Sequence, residues 1–359
     1  MKILVIANNA GGLYGFRKEL INGLAENNTV GIAVPRGRHF EYFENRGYEI
    51  FETDVDRRGM NPFKDRALYA KYRKIIKEFE PDLIVTYTVK CNIYGGMAAR
   101  RAKIPYAVNI TGLGTAFERG GWLKKLVIAM YKIALKKVKV CFFENEGNRK
   151  VFTDNKIVPA EKCVVLPGAG VNLEEYPYLK YTSDSTCRFL FIGRIMKEKG
   201  VEELFSAARR CKEEGLDCRF DFIGGFEENY KDKIDELQQE GILRYHGFQN
   251  DIKPFVADCD CVVLPSYHEG MSNALLESAA MGRALIASDI PGCREAVVAG
   301  ENGFLCARKD AEDLYRRLSE FIALDPARKA EMGKSSRKLM EDRFDKRRVV
   351  AKTIEEMMA

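Results

Sequence analysis

Two glutamates eight positions apart, Glu269 and Glu277, bracket the stretch HEGMSNALLE at residues 268–277. Such a pair can take part in proton transfer or accept hydrogen bonds from the hydroxyls of a polar ligand. The apolar run DCVVLP precedes the stretch and the helical pattern NALLESAAMG follows it, so it reads as a loop entering a helix. Glu269 then stands in the loop and Glu277 about one turn inside the helix. On that reading both can face the crevice beyond the strand's carboxyl end, where open α/β sheets bind ligands. Taken alone, the pair reads equally well as a solvated helix-start glutamate and an unrelated surface one.

The elements that would position these residues repeat in two halves. KILVIANNAGG opens the first half and CRFLFIGRIMKEKG the second, each an apolar strand running into glycines. Strand and helix patterns then alternate through both halves, which predicts parallel, doubly wound sheets. The length of 359 residues agrees with two domains. The boundaries read as 1–168 and 187–342, joined by a stretch poor in regular pattern at 167–186. The helical segment 343–359 is expected to pack back on the first domain. A cleft between two facing Rossmann-like domains is the expected place of function.

Composition narrows the class further. The chain is 46% apolar and 31% charged, and no apolar run reaches the roughly 18–20 residues that span a bilayer. The N-terminal apolar run, Ile3 to Ala7, is too short for an export signal and reads as a buried strand. Ten cysteines are scattered without a CxxC pair, as in a reduced cytoplasmic protein without structural zinc. Residues 1–180 carry 30 Lys and Arg against 19 Asp and Glu, whereas the remainder carries 28 against 33. A basic first half suits nucleic acid, an anionic membrane face or a phosphate-rich substrate. The aromatics form no stacking pattern, so nucleic acid is not expected.

Three blocks carry a resemblance: GRIMKEKG at 193–200, HEGMSNALLE at 268–277, and AAMGRALIASDIPGCREAVVAGENGFL at 279–305. In order and spacing they resemble family 4 glycosyltransferases, whose GT-B fold places two Rossmann-like domains face to face. Arg194 and Lys199, just past a strand end, suit a diphosphate leaving group. Backbone N–H groups of Gly270, Met271, Ser272 and Asn273, at a helix start, suit the same phosphates. The resemblance implies that Glu277 holds the ribose diol and Glu269 the hydroxyls of the donor hexose. Glu269, Arg194 and Lys199 are then the catalytic group. His246 and Phe248 are expected at the nucleotide-base pocket. Asp54-x-Asp56 and Asp258-x-Asp260 look like metal-binding pairs of another glycosyltransferase fold. They are read instead as strand-end residues, with Asp258 and Asp260 capping the preceding helix or turn. No metal and no cofactor are expected.

The first half reads as the acceptor side. NNAGGLYGFRKEL at 8–20 is a glycine-rich turn into a helix, and by resemblance Gly11 and Gly12 approach the donor phosphates. TVKCNIYGGMAARRAKIPYAVNITGLG at 88–114, with FR at 16–17 and NPF at 61–63, resembles a subgroup that extends polyprenyl-diphosphate-linked glycans. Arg17, Lys90 and Asn92 would then meet the acceptor's diphosphate or first sugar. Asn109 and Thr111 stand where many members of the family have a histidine that contacts the reacting sugar. No protein nucleophile is implied, because the leaving phosphate can take the acceptor proton in a same-face substitution.

The segment RGGWLKKLVIAMYKIALKKVK at 119–139 reads as an amphipathic helix. Leu123, Leu126, Val127, Met130, Tyr131, Ala134 and Val138 share one arc, and five lysines cluster opposite. Ile128 and Leu135 fall among the lysines and Trp122 borders them. The segment is either a sheet-covering helix with a basic back or an interfacial helix against anionic headgroups. Trp122, Lys124, Lys125, Ile128 and Lys132 are the expected membrane contacts.

The sequence therefore points to a retaining, metal-independent transferase acting from a UDP-sugar, an N-acetylhexosamine donor, onto a polyprenyl-diphosphate-linked saccharide. It would work in the cytoplasm, peripherally bound to the inner membrane face. Two rivals remain: a UDP-N-acetylglucosamine 2-epimerase, and a non-catalytic nucleotide-sugar-binding partner protein.

Overall fold

A computed structural model describes the chain apart from residues 57, 58, 60, 115, 116, 118, 119 and 183–185. It divides into two compact units, one formed by Met1–Ala169 with Arg347–Ala359 and the other by Gly170–Lys346.

The first unit is built on seven strands: β1 (Lys2–Ile6), β2 (Thr29–Val34), β3 (Glu49–Glu52), β4 (Leu83–Tyr87), β5 (Tyr106–Ile110), β6 (Val140–Phe143) and β7 (Cys163–Val165). They pair in parallel in the order β3-β2-β1-β4-β5-β6-β7. Runs such as KILVI and LIVTY are apolar along nearly their whole length because helices cover both sheet faces. One face buries Tyr72, Phe79, Tyr106 and Tyr131, and the other Leu13, Leu20 and Phe43. Helix 62–79 shows how local chemistry sets an element. Asn61 caps its amides, Pro62 occupies the first turn, and Glu80 ends it in a left-handed conformation.

The second unit holds β8 (Cys187–Ile192), β9 (Cys218–Ile223), β10 (Arg244–Tyr245), β11 (Cys261–Leu264), β12 (Ala284–Ser288) and β13 (Gly303–Cys306). Their order is β10-β9-β8-β11-β12-β13, again all parallel. Both sheets thus reverse their winding once, between β1 and β4 and between β8 and β11. These are the switch points at which strand ends leave room for a ligand.

The stretch 167–186, expected as a linker, is divided at Gly170, and its described residues from Gly170 on belong with the second unit. Val171 N–H donates to Phe344 O at 2.8 Å, Leu179 N–H donates to Met281 O at 3.2 Å, and Tyr176 and Leu179 pack on the core. The last helix, Lys346–Met358, buries Val349 and Met357 in the first unit's core, and Ile354 approaches Gly23. All ten cysteines are free thiols, eight of them buried.

Candidate active site

The switch point of the second sheet gathers the main constellation. Beyond β8 the chain makes one tight turn at Lys197–Lys199 and passes through Gly200, whose φ is 71°. A β-carbon at Gly200 would lie 2.0 Å from Pro265 O, so only glycine lets this turn press against the end of β11. That approach brings Lys199 Nζ onto Glu269 Oε1 as a mostly buried ion pair. Ser266, fully buried, donates its hydroxyl to the same carboxylate oxygen at 2.8 Å. Arg194 is more open, and its guanidinium donates to Glu227 at 3.1 Å. A lysine and an arginine from the β8 end therefore stand on the same sheet end as a carboxylate aimed by two donors.

The loop carrying Glu269 is braced from β12. Gly292, with φ at 88°, accepts a hydrogen bond from Ser272 N–H at 2.9 Å, and a β-carbon on it would meet Glu269 O at 2.8 Å. Glu295 accepts from Gly292 N–H at 2.7 Å and holds the brace. Gly292, Glu295 and Ser266 escape sequence reasoning, although the dipeptide PG after a strand is a turn signal.

Helix 273–280 follows, capped by the Ser272 side chain. This corrects one expectation: the Ser272 amide donates to Gly292 O and its hydroxyl accepts from Leu275 N–H, while the Met271 side chain packs in the hydrophobic core. Gly270 and Asn273 on this loop are half-buried. Glu277 lies one turn inside the helix. Burial pushes its carboxyl up to about 7, against the opposing pull of the Lys346 ammonium and the Tyr176 hydroxyl. Tyr176 is itself pushed up by burial and by Glu277. Tyr176 stands 101 positions before Glu277, and no local pattern announces it.

His246 stands just past β10. Its Nε2 lies 2.7 Å from Asp221 Oδ1, and it lines a cavity of about 300 Å³ on the sheet face with Arg219, Arg244 and Phe255. Asp221 on β9 takes the imidazole. Phe248 is exposed beyond β10. Asp258 pairs with Arg188 and Arg219, and Asp260 accepts from Arg188 N–H at 2.6 Å. These aspartates tie strands β8 and β9 to β11 instead of capping a helix or turn.

In the first unit, Gly11 and Gly12 fall in the first turn of helix 10–25, and Asn9 Oδ1 takes the Gly12 amide at 2.6 Å. That amide is therefore not available to a phosphate. Arg17 is buried on Glu144, 2.5 Å away, with its guanidinium 5.2 Å from the Tyr87 ring centre. Lys90 donates to Asp65 at 2.6 Å, and Tyr94 OH donates to the other oxygen at 2.9 Å. Asn92 accepts from Thr86 and donates to Asn109 O, while Asn109 donates to Thr86 O. Both asparagines are buried and knit β4 to β5, so the expectation that they, with Arg17, touch acceptor is corrected. Thr111, just past β5, is half-buried.

Helix 121–134 also departs from its expected phase. Leu135 and Tyr131 are buried and Ile128 packs against the core, while Lys124 lies 5.8 Å from the Phe117 ring centre. Trp122, Leu126 and Ile133 instead face solvent, 70%, 46% and 49% exposed. Their spacing of four and seven puts them on one stripe, which exposed Lys125 and Lys132 flank. Ile128 and Lys124 therefore leave the expected contact set, and Leu126 and Ile133 enter it. Arg119 lies outside the described residues.

Two family descriptions match the chain: "Glycosyl transferase 4-like" over residues 2–145 and "Glycosyl transferases group 1" over residues 183–339. A relative from Campylobacter jejuni subsp. jejuni serotype O:2, N,N'-diacetylbacillosaminyl-diphospho-undecaprenol alpha-1,3-N-acetylgalactosaminyltransferase, is 29% identical over 89% of each chain. UDP-Gal:alpha-D-GlcNAc-diphosphoundecaprenol alpha-1,3-galactosyltransferase of Escherichia coli is 28% identical, covering 73% of this chain and 71% of its own. Among solved structures, Anabaena Alr3699/HepE in complex with UDP and glucose superposes with a TM-score of 0.82 at 18% identity, covering 100% of this chain and 99% of that one. Two parallel-sheet domains with these matches define a glycosyltransferase of the GT-B fold. Within that class, the chain belongs to glycosyltransferase family 4.

Proposed function

We propose that the protein transfers an N-acetylhexosamine from a UDP-sugar to a polyprenyl-diphosphate-linked saccharide, with retention of anomeric configuration and without a metal ion. The observation that carries this reading is the Lys199–Glu269 pair at the β8/β11 switch point, with Glu277 one helical turn further on. The names of the Campylobacter and Escherichia coli relatives, both acting on undecaprenyl-diphosphate-linked sugars, support the acceptor class. UDP in the Anabaena structure supports the nucleotide.

In this reading the bond from the anomeric carbon to the β-phosphate oxygen breaks, and UDP leaves with the electron pair. The acceptor oxygen bonds to the same face of that carbon, and its proton passes to the departing phosphate. Lys199 and Arg194 stabilise the charge that develops on the diphosphate. Glu269 holds the sugar hydroxyls and Glu277 the ribose diol. The test is release of UDP from a panel of UDP-sugars with EDTA present, using a short-chain polyprenyl-diphosphate-linked sugar as acceptor. Release that depends on the acceptor and on one donor is expected. A free epimerised sugar as product, or binding without release on any acceptor, overturns the reading.

A lipid-linked acceptor requires the enzyme to work at a membrane, and the Trp122–Leu126–Ile133 stripe between lysines supplies apolar and cationic contacts for one. Among the described residues, no helix is long and apolar enough to cross a bilayer. Peripheral attachment to the inner face of the membrane follows from this reading. Charge reversal at Lys125 and Lys132 is expected to lower binding to phosphatidylglycerol vesicles at least about tenfold, since each lysine near such a surface contributes about 1 kcal/mol. Unchanged co-sedimentation sinks the membrane role.

A further inference from the structure

Residues 172–179 are fastened to the end of helix 273–280 at several points. Asn172 opens a turn: its Oδ1 accepts from the Glu174 and Glu175 amides at 3.1 Å, and its carbonyl accepts from Tyr176 N–H at 3.0 Å. Arg337 Nη1 donates to Tyr176 O and to Ala280 O, both at 3.0 Å, and so ties this turn to the helix. Buried Arg283 donates to Leu179 O at 3.1 Å, and Leu179 N–H donates to Met281 O. Gly282, with φ at 80°, completes the fit, since a β-carbon there would lie 2.6 Å from the Tyr178 ring.

The fastening sets Tyr176 beside Glu277. Its ring packs against the hydrophobic core, with Lys253 Nζ 5.6 Å from the ring centre. Its hydroxyl reaches the Glu277 carboxyl, on which Lys346, Lys253 and Glu175 also act. Packing needs only the ring, which a phenylalanine would supply. Burial and the neighbouring Glu277 push the phenol above its ordinary range, so the hydroxyl keeps its proton and has it to donate. A donor to the ionised carboxylate offsets part of what burial does to it.

We infer that Tyr176 is a positioning residue for the nucleotide: its hydroxyl donates to one oxygen of the Glu277 carboxylate, and the other oxygen accepts from the ribose diol. The inference rests on the proposed ribose role of Glu277.

The test uses the full chain and Tyr176→Phe, which keeps the ring and removes the hydroxyl. Carbon-13 NMR of protein labelled at the glutamate carboxyls follows Glu277 without ligand, with Glu277→Gln assigning its resonance. The titration midpoint is expected at least about one pH unit higher in Tyr176→Phe, the size of a lost hydrogen bond to a charged group. Calorimetry with UDP-N-acetylglucosamine supplies the second measurement. Affinity at pH 6.5 is expected to fall about tenfold in the variant and to return to within about threefold of wild type by pH 8.5. Melting temperature at pH 5.5 is the control for folding. An unmoved carboxyl midpoint overturns the inference, and so does an affinity loss of equal size at both pH values, which a packing role alone would give. A wild-type affinity that is flat with pH, or no binding at all, defeats the ribose reading itself and takes the inference with it. A sloping wild-type profile that Tyr176→Phe shares unshifted defeats the inference alone.

Discussion

Exchanging Lys199 for methionine is expected to lower kcat for sugar transfer by about 10²- to 10³-fold, the usual cost of removing one preorganised group that stabilises developing charge. The ammonium sits at the end of β8 because Gly200 lets the turn abut Pro265, and it is aimed by Glu269. On the proposed reading, negative charge gathers on the leaving diphosphate beside this lysine as the sugar–phosphate bond lengthens. Ground-state affinity for the UDP-sugar should fall less than kcat, because the lysine's advantage grows along the reaction coordinate. Glu269→Gln keeps the shape but frees Lys199 from its partner, so a comparable loss is expected. The double variant should cost about as much as either single one, since the two residues act as one device. Single-turnover rates at saturating donor measure this, with melting curves as the control for folding. A kcat within threefold of wild type for Lys199→Met would make the ion pair merely structural.

The second large effect concerns pH. Glu277 has its carboxyl raised from 4.5 to about 7 by burial. A raised carboxyl favours folding while it is protonated. Its contribution to stability is thus fully present below pH 4.5 and is lost as pH rises through 7. Ligand binding runs the other way. On the proposed reading ribose hydroxyls donate to the ionised form, so affinity for a UDP-N-acetylhexosamine should rise by up to about tenfold per pH unit between 5 and 7 and level off above. The sugar nucleotide itself has no group titrating in that window. Glu277→Gln should bind more weakly and with a flat pH profile, and it should remove the falling stability of the free protein over the same window. Isothermal titration at pH 5.5, 6.5 and 8 resolves the slope. A flat wild-type profile rules out the carboxylate as the ribose acceptor.

Periodicity and local punctuation made much of this molecule legible. DCVVLP followed by a glycine and a capped helix places Glu269 in a loop and Glu277 inside a helix, because that order of elements leaves few other arrangements. Residue type was a poorer guide in the first unit. Arg17 looks like an anion-binding group until Glu144, 127 positions away, takes its charge. Asn92 and Asn109 look available until the strand ends they tie together are side by side. Helix 121–134 has apolar residues on more than one arc, and only the neighbours that cover Tyr131 and Leu135 settle its phase.

The final helix has a consequence for biosynthesis. Val349 and Met357 complete a hydrophobic face whose other members include Leu20 and Leu24, far earlier in the chain. All of residues 170–346 is translated between those two parts of one core. The amino-terminal domain therefore waits on the ribosome with an open seam beside helix 10–25. The carboxyl-terminal domain, continuous in sequence, has its whole core in hand first, and nascent chains arrested near residue 346 would display that seam to chaperones.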